Sequence, residues 1–543
     1  MMLVKDAKAA TSLEQLNIAY MLGRELVIAH HEISALKEEN STLSQENRAL
    51  TEEVQRLKEQ LQLAQSHRFG KKSDVGEPAG VDLPEERVVV APHTRRKKTK
   101  GRLIDTSELP RQRIYHDLAE QERVCGCCHK PLKQIGQEVS EQIEVLPQRL
   151  YVVEHVRAKY SGCDCGTIHM APKEPSPIPK ALAGASLLTE VLVNKYEYHL
   201  PLYRQSKMLA SFNAIVPDNT LGNWVMQLGE GLTPIYKALF EMALAGRYLQ
   251  VDETPIKILK PEKKGYLWSY FAPHVGQGIV IFELSLTRCG SVAEQRLAPF
   301  EGLLQTDGYA GYQGLREREG IEGLGCLSHA RRKFSDVLKA SKNYQGIAAQ
   351  AIKHLKPLYA LEEQMRRAGY SFHTRKRLRQ KIAWPILKEF RHWLKVTLPK
   401  VPPKSLLAKA ICYTLRQWPY LIKYLRHGMA EIDTNWIENK IREIALGRKN
   451  WLFMGNENSG AVHALFYSLV STCLLNEINP RLYLHYVITK IHDIRQNKVD
   501  PKKLLPHTID KDALRKFAQQ QIEQGAKILN AFASHLSPLS TTT

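Results

Sequence analysis

The chain has 543 residues, 77 Lys plus Arg against 56 Asp plus Glu, a formal net charge of +21, and 43% apolar and 8% aromatic residues. At about 100–200 residues per domain this is room for roughly three domains, with enough apolar material for a core, which excludes a stapled mini-protein and a wholly disordered chain. No run approaches the ~20 uninterrupted apolar residues of a membrane span, and the first residues lack a signal-peptide pattern, so a cytoplasmic protein is expected. The charge excess favours nucleic acid over membrane as a polyanionic partner.

Residues 13–66 carry a heptad pattern. Leu36, Leu43, Leu50 and Leu57 recur every seven residues, and Ile33, Asn40, Asn47, Val54 and Leu61 form a second series offset by three. Leu at d with Asn at two a positions predicts a parallel, in-register coiled coil of two chains, and hence a homodimer; the alternative is a long amphipathic helix packed on its own domain. Residues 67–114 follow as a basic linker. In it Gly76, Pro78, Gly80 and Pro84 break the periodicity, and Arg95, Arg96, Lys97, Lys98, Lys100 and Arg102 place six cations in eight residues. Such a run either grips phosphates by releasing counterions or is a solvated linker.

Nine cysteines in 543 residues is ordinary usage and an odd number, which argues against a secreted disulfide framework, and five of them fall between Cys125 and Cys165. Cys125-x-x-Cys128 and, 35 residues on, Cys163-x-Cys165 suit a zinc-ribbon-like domain over 115–175, in which four thiolates close a tetrahedron in place of a core. The second pair is one residue shorter than the usual CxxC and needs a tighter turn; Cys127, His129 or His169 are substitute ligands, and a metal-free version of the same small fold is the alternative. Cys289, Cys326, Cys412 and Cys473 are scattered and read as small buried apolar residues.

Residues 176–245 have helical spacing (Leu187, Leu188, Val191, Leu192, then Leu200, Leu202, Leu209), as either a DNA-binding module or a plain structural one. From Gly246 the period changes. Tyr248–Val251, Tyr266–Phe271 and Ile279–Leu284 predict an antiparallel meander, and the longer link through Ser291–Leu297 leaves space for a crossover helix. A fourth strand, Leu303–Thr306, then runs parallel to the first. After Gly325 the pattern is helical nearly to the end.

Asp252 directly follows the first of these strands and Asp307 the fourth, so neighbouring strands would bring both carboxylates to one sheet edge. Each alone is more often a cap or turn former. Glu438 is the third acid; Ile437, Ile441 and Ile444 mark a buried helix stripe, with Glu438 and Arg442 on the adjoining face. Its rival role is a capping box with Asn435 as N-cap, and Glu253, Glu443 and Asp433 compete for its place. Three carboxylates around two magnesium ions suit phosphoryl transfer at DNA. Arg331, Arg332, Arg448 and Lys449 add cations where phosphates would lie, or are ordinary basic surface.

These blocks together carry a resemblance. The leading zipper, His67-Arg-Phe-Gly70, the cysteine pairs, Leu200-Pro-Leu-Tyr-Arg204, Val251-Asp-Glu-Thr-Pro255, Thr306-Asp-Gly-Tyr-Ala-Gly-Tyr312, His329-Ala-Arg-Arg-Lys333 and Ala445-Leu-Gly-Arg-Lys-Asn-Trp451 stand in the order of the DDE transposase of insertion sequence family sixty-six, which the chain resembles over nearly its whole length. The family's cysteine pattern has two residues between Cys163 and Cys165 where this chain has one.

The resemblance implies a multidomain α/β protein with an RNase H-like mixed-sheet catalytic core (246–312 and 435–475), Asp252, Asp307 and Glu438 at the triad positions, a helical insertion over 313–434 and a helical tail over 476–543. It implies metal-dependent cleavage and strand transfer at terminal inverted repeats, target DNA and small accessory proteins of the same element as partners, and a place at the bacterial nucleoid. The rival readings are a catalytically silent dimeric repressor and an RNase H-like nuclease without strand transfer.

Overall fold

A computed structural model of the chain describes residues 3–69, 150–161, 168–170, 175–341 and 345–535. Arg95, Arg96, Lys97, Lys98, Cys125, Cys128, Cys163 and Cys165 lie outside them. The heptad region is one continuous helix, α1 (Leu3–Phe69), longer at both ends than the pattern predicts. Leu36, Leu43, Leu50 and Leu57 are 50–63% exposed, so the leucine seam is not spent on the chain's own body. Near its end α1 meets that body, where Glu59 Oε2 accepts from the Leu406 amide.

Two short antiparallel strands, β1 (Lys159–Ser161) and β2 (Ile168–Met170), flank the second cysteine pair. Three helices follow: α2 (Ala185–Tyr196), α3 (Leu202–Ser211) and α4 (Asp218–Leu244). Their apolar stripes are buried, as Leu188, Val191 and Leu192 show on α2 and Leu228, Leu232 and Ile235 on α4.

The sheet is built from β3 (Tyr248–Ile258), β4 (Lys263–Ala272), β5 (Ile279–Ser285), β6 (Gly302–Gln305) and β7 (Ile321–Leu324), in the order β5-β4-β3-β6-β7. The first three strands form the expected antiparallel meander. Helix α5 (Gly290–Arg296) is the expected crossover, after which β6 runs parallel to β3 and β7 parallel to β6. The fifth strand was not expected: Ile321-Glu-Gly-Leu324 is short and contains Gly323, whose hydrogen lets the strand lie on the Arg316 side chain. Helix α6 (Gln313–Glu317) joins β6 to β7, so the sheet extends to Leu324.

Helices cover both faces of the sheet. Tyr270 and Phe271, consecutive on β4, point to opposite faces; Tyr270 meets Phe240 of α4, and Phe271 meets Trp436 of α12 (Asn435–Trp451). The outer edge of β5 is covered by α13 (Glu457–Leu475), whose Ser468 and Thr472 hydroxyls accept from the Phe282 and Val280 amides at 2.8 and 3.2 Å. Helices α14 (Pro480–Thr489), α15 (Ile491–Arg495) and α16 (Lys511–His535) complete the described chain. Tyr196 of α2 donates to or accepts from His463 Nδ1 of α13 at 2.6 Å and stacks on Phe466, so the 176–245 helices form one layer with the C-terminal ones.

Between β7 and α12 lie α7 (Leu327–Ser341), α8 (Ile347–Arg367), α9 (Phe372–Leu378), α10 (Trp384–Thr397) and α11 (Leu406–Leu421). Their core, with Phe334, Leu355, Phe390 and Trp418, is continuous with Tyr248, Leu303 and Leu324 of the sheet. A buried ionic network runs through it. Arg379 holds Glu362 with both carboxylate oxygens at 2.7 Å and donates to the Tyr424 and His427 carbonyls; Arg375 bridges Glu362 and Glu431. The Glu431 amide in turn donates to the Tyr248 hydroxyl, tying the inserted helices to β3.

Candidate active site

Gln250 and Gln305 are paired residues on the parallel strands β3 and β6. Asp252 and Asp307 each lie two residues beyond this pair, Asp252 still within β3 and Asp307 two residues past the end of β6. Asp252 is paired across β4 with Ser269, which shares its face with Phe271, the residue that touches α12. That is the face on which Glu438, in the first turn of α12, stands. Contrary to expectation Asp252 is not past the end of its strand: β3 continues to Ile258 on β4, whereas its pairing with β6 stops at Gln250. The acid thus sits where one neighbour ends and the other goes on.

The turn carrying Asp307 is fixed from beneath. Its Oδ1 accepts from the Tyr309 amide at 2.9 Å, and buried Arg316 donates to the Thr306 hydroxyl, the Thr306 and Asp307 carbonyls and the Gln417 amide oxygen. Gly308 is pressed on α11, where a Cβ would meet the Tyr413 ring at 2.7 Å. Below the acids, Gln250 donates to the Asp433 carbonyl and Gln305 to the Gly325 and Glu431 carbonyls, with the Tyr248 hydroxyl between them. These buried amides fix the segment that leads into α12 against the two strands. A polar residue at the same register in two otherwise apolar strands, Tyr-Leu-Gln-Val and Leu-Leu-Gln-Thr, is the sequence signal that would have found them.

Glu438 makes no capping box. The N-cap of α12 is Thr434 rather than Asn435, and it has no side-chain cap bond; the Glu438 carboxylate instead takes Arg332 on Oε2 and lies with Oε1 3.7 Å from His329 Nδ1. The competing acids are engaged elsewhere: Glu253 with Arg288 and Tyr312, Glu443 with Lys440 and Ser471, Asp433 with Asn435. Burial pushes the Asp252 carboxyl up to about 7; the Glu253 charge adds to it, His329 opposes, and the charges of Asp307 and Glu438 add again. Burial pulls the His329 imidazole down but is outweighed by Cys326, Glu438 and Asp307, which hold it at about 9.

Of the cations expected at DNA, Arg332 faces Glu438 while Arg331 is exposed beside the Tyr359 ring. Arg448 and Lys449 do not lie beyond the helix, because α12 runs to Trp451; they sit in its last turn, where Arg448 donates to the Pro255 carbonyl and Lys449 is exposed. Sequence reading also missed Cys326. Like Cys473 it is buried, as expected of a small apolar residue, whereas Cys289 and Cys412, expected to be buried, are exposed; the Cys326 sulfur accepts from the Thr434 amide and hydroxyl at 3.3 and 3.1 Å, beside His329 and Glu438.

Comparison with known families identifies the chain. The family described as "Transposase IS66 family" matches residues 180–462, just over half of the sequence, and the "zinc-finger binding domain of transposase IS66" matches residues 122–166. The chain belongs to the IS66 transposase family. Among its relatives, uncharacterized protein y4jD of Sinorhizobium fredii is 31% identical over 400 residues, 70% of this chain and 77% of that protein. Uncharacterized protein y4qI of the same organism is 32% identical over 394 residues, 69% and 72% of the two chains. No helix among the described residues is long and apolar enough to cross a membrane.

Proposed function

We propose that this transposase cuts DNA at the ends of an insertion sequence and joins the freed ends to a target, with Asp252, Asp307 and Glu438 as the acidic trio of an RNase H-like core. The observation that carries the reading is the matched placement of Asp252 and Asp307 two residues past the Gln250–Gln305 pair, with Asp252 on the sheet face that α12, the helix of Glu438, covers. The strand order, three antiparallel strands followed by two parallel ones, supports the fold. Asp252 feels the charges of Asp307 and Glu438, and the donors are hard carboxylate oxygens, a set that suits magnesium. Bound there, magnesium would supply a Lewis acid for the attacking and departing oxygens of phosphoryl transfer.

The chain's own residues hold the geometry. Arg316 and Gly308 fix the Asp307 turn, Gln250 and Gln305 fix the approach to α12, and Arg332 orients Glu438. Exposed Arg331 and Lys449 supply phosphate contacts, together with Arg95, Arg96, Lys97 and Lys98 of the linker. The exposed leucine seam of α1 supports a dimer through two such helices, which would bring two element ends together. Zinc on Cys125, Cys128, Cys163 and Cys165 is supported by the zinc-finger match and by the strands flanking the second pair. The terminal inverted repeats, the target DNA and accessory proteins of the same element are the partners of this reading.

The direct test is strand cleavage of a duplex carrying an element end, in magnesium and in chelator. The parent chain should nick only in magnesium, and Asp307→Asn, with its circular dichroism spectrum unchanged, should fall to background. Cleavage by that variant at the parental rate would sink the assignment.

A further inference from the structure

We propose that Cys326, His329 and Glu438 form a binding site for a zinc-class divalent cation, separate in its donors from the all-carboxylate set and sharing only Glu438 with it. One ligand atom from each of the three residues lies within 4.8 Å of the other two, a grouping found once among the described residues. Two of the polar atoms facing this space, His329 Nδ1 and Glu438 Oε1, are buried and lack any hydrogen-bond partner. Buried polar atoms are nearly always paired, so two that face each other at 3.7 Å, too far apart for a hydrogen bond, mark a place for a third party. Their separation of 3.7 Å is close to the roughly 3.4 Å edge of a tetrahedral zinc site with bonds of about 2.1 Å.

The scaffold is set before any ion arrives. Cys326 immediately precedes α7 and His329 lies in its first turn, so the Cys-x-x-His spacing projects both from one helix start. The α7 start is pinned to the segment before α12 by the Leu327 amide on the Ile432 carbonyl at 3.2 Å, and by the Thr434 amide on the Cys326 sulfur. Arg332 occupies Glu438 Oε2 and leaves Oε1 as the free donor. Three protein donors leave a fourth position for water, and a sulfur, imidazole and carboxylate set selects zinc or cobalt over magnesium.

The cation and the acidic trio would compete for Glu438, a consequence that rests on the proposed function, whereas binding itself does not. The test is therefore a metal count. The full chain, its Cys326→Ser and His329→Gln variants and a Cys412→Ser control, an exposed cysteine on α11, are equilibrated with micromolar zinc in millimolar magnesium, so that carboxylate-only sites hold the harder ion. After gel filtration zinc is measured per chain. The two site variants should each carry one zinc fewer than the parent, and the control should match the parent. With cobalt in place of zinc, the thiolate charge-transfer absorption should fall in Cys326→Ser. Because only differences are read, zinc held by the other cysteines cancels. Equal zinc in the parent and both site variants, or an equal loss in the control, would overturn the site. A chain that never cleaves DNA but shows the difference keeps the zinc site and loses the proposed function. One that cleaves without showing it does the reverse.

Discussion

Glu362 is a buried anion that ties together two arginines of the inserted helices. Its carboxylate is 1% exposed and takes both Nε and Nη2 of Arg379, which is fully buried, and also Nη2 of Arg375 at 3.3 Å. In Glu362→Gln the shape is kept and the charge is lost, and an amide N–H₂ is turned against a guanidinium, donor against donor. Arg379 then retains one neutral side-chain acceptor, the amide oxygen, besides the Tyr424 and His427 carbonyls at 3.2 and 2.7 Å, while Arg375 keeps Glu431.

Breaking a buried pair by removing one partner costs about 3–5 kcal/mol, because the remaining charge stays desolvated. With a urea slope of about 1–3 kcal/mol/M, the midpoint should drop by roughly 1–3 M. Tryptophan fluorescence reports this region, since Trp418 lies in the same core and Trp393 packs against it. The paired replacement Glu362→Met with Arg379→Met removes both charges together and should recover most of the loss, as hydrophobic isosteres of buried ion pairs often do. A Glu362→Gln protein that unfolds at the parental midpoint, or a double variant weaker than the single one, would refute the argument.

Two further outcomes are expected. Burial holds the partly buried Lys195 ammonium down at about 8, against an ordinary value of 10.5. The unfolded chain therefore keeps this proton between about pH 8 and 10.5 while the folded chain loses it. Stability from this residue rises with pH across that window, and its penalty is fully present below it. Lys195→Met should stabilise the protein at pH 7 by on the order of 3 kcal/mol and flatten the rise, as read in thermal melts at pH 7 and 10; an unchanged melting temperature at pH 7 would count against it. Replacing Leu43 and Leu50 together with Ser should convert a dimer to a monomer in analytical ultracentrifugation; a variant that stays dimeric would move the dimer contact off the heptad seam.

The sheet was legible where its residues are apolar and β-branched. The meander, the crossover helix and the parallel return of β6 follow from runs such as Ile279–Leu284 and from the length of the link that precedes Leu303. Strand β7 was not legible because four residues including a glycine carry little periodicity, and its place is set by Arg316 and by the parallel ladder with β6. The end of β3 was misplaced for another reason: Asp252, Glu253 and Pro255 read as a turn, but β4 supplies partners on one side through Ile258 and overrides that preference.

At the site, Asp252 and Asp307 could be paired from sequence because their strand positions match. The fate of Glu438 could not. A capping box and a carboxylate turned toward α7 have the same local spacing, and only the approach of α7, with Arg332 and His329, shows which one forms. The partner of Cys326 was hidden in the same way, since nothing local to a buried thiol tells that Thr434, 108 positions away, donates to it.

The hydroxyls of Ser468 and Thr472 do for β5 what another strand would do. An exposed strand edge invites addition of a foreign strand, and here the outward amides of Val280 and Phe282 already have acceptors on α13. This border of the sheet is therefore shut to growth, by a second copy or by an extended peptide. A second copy meeting this one on the same piece of DNA could not join its sheet along that border.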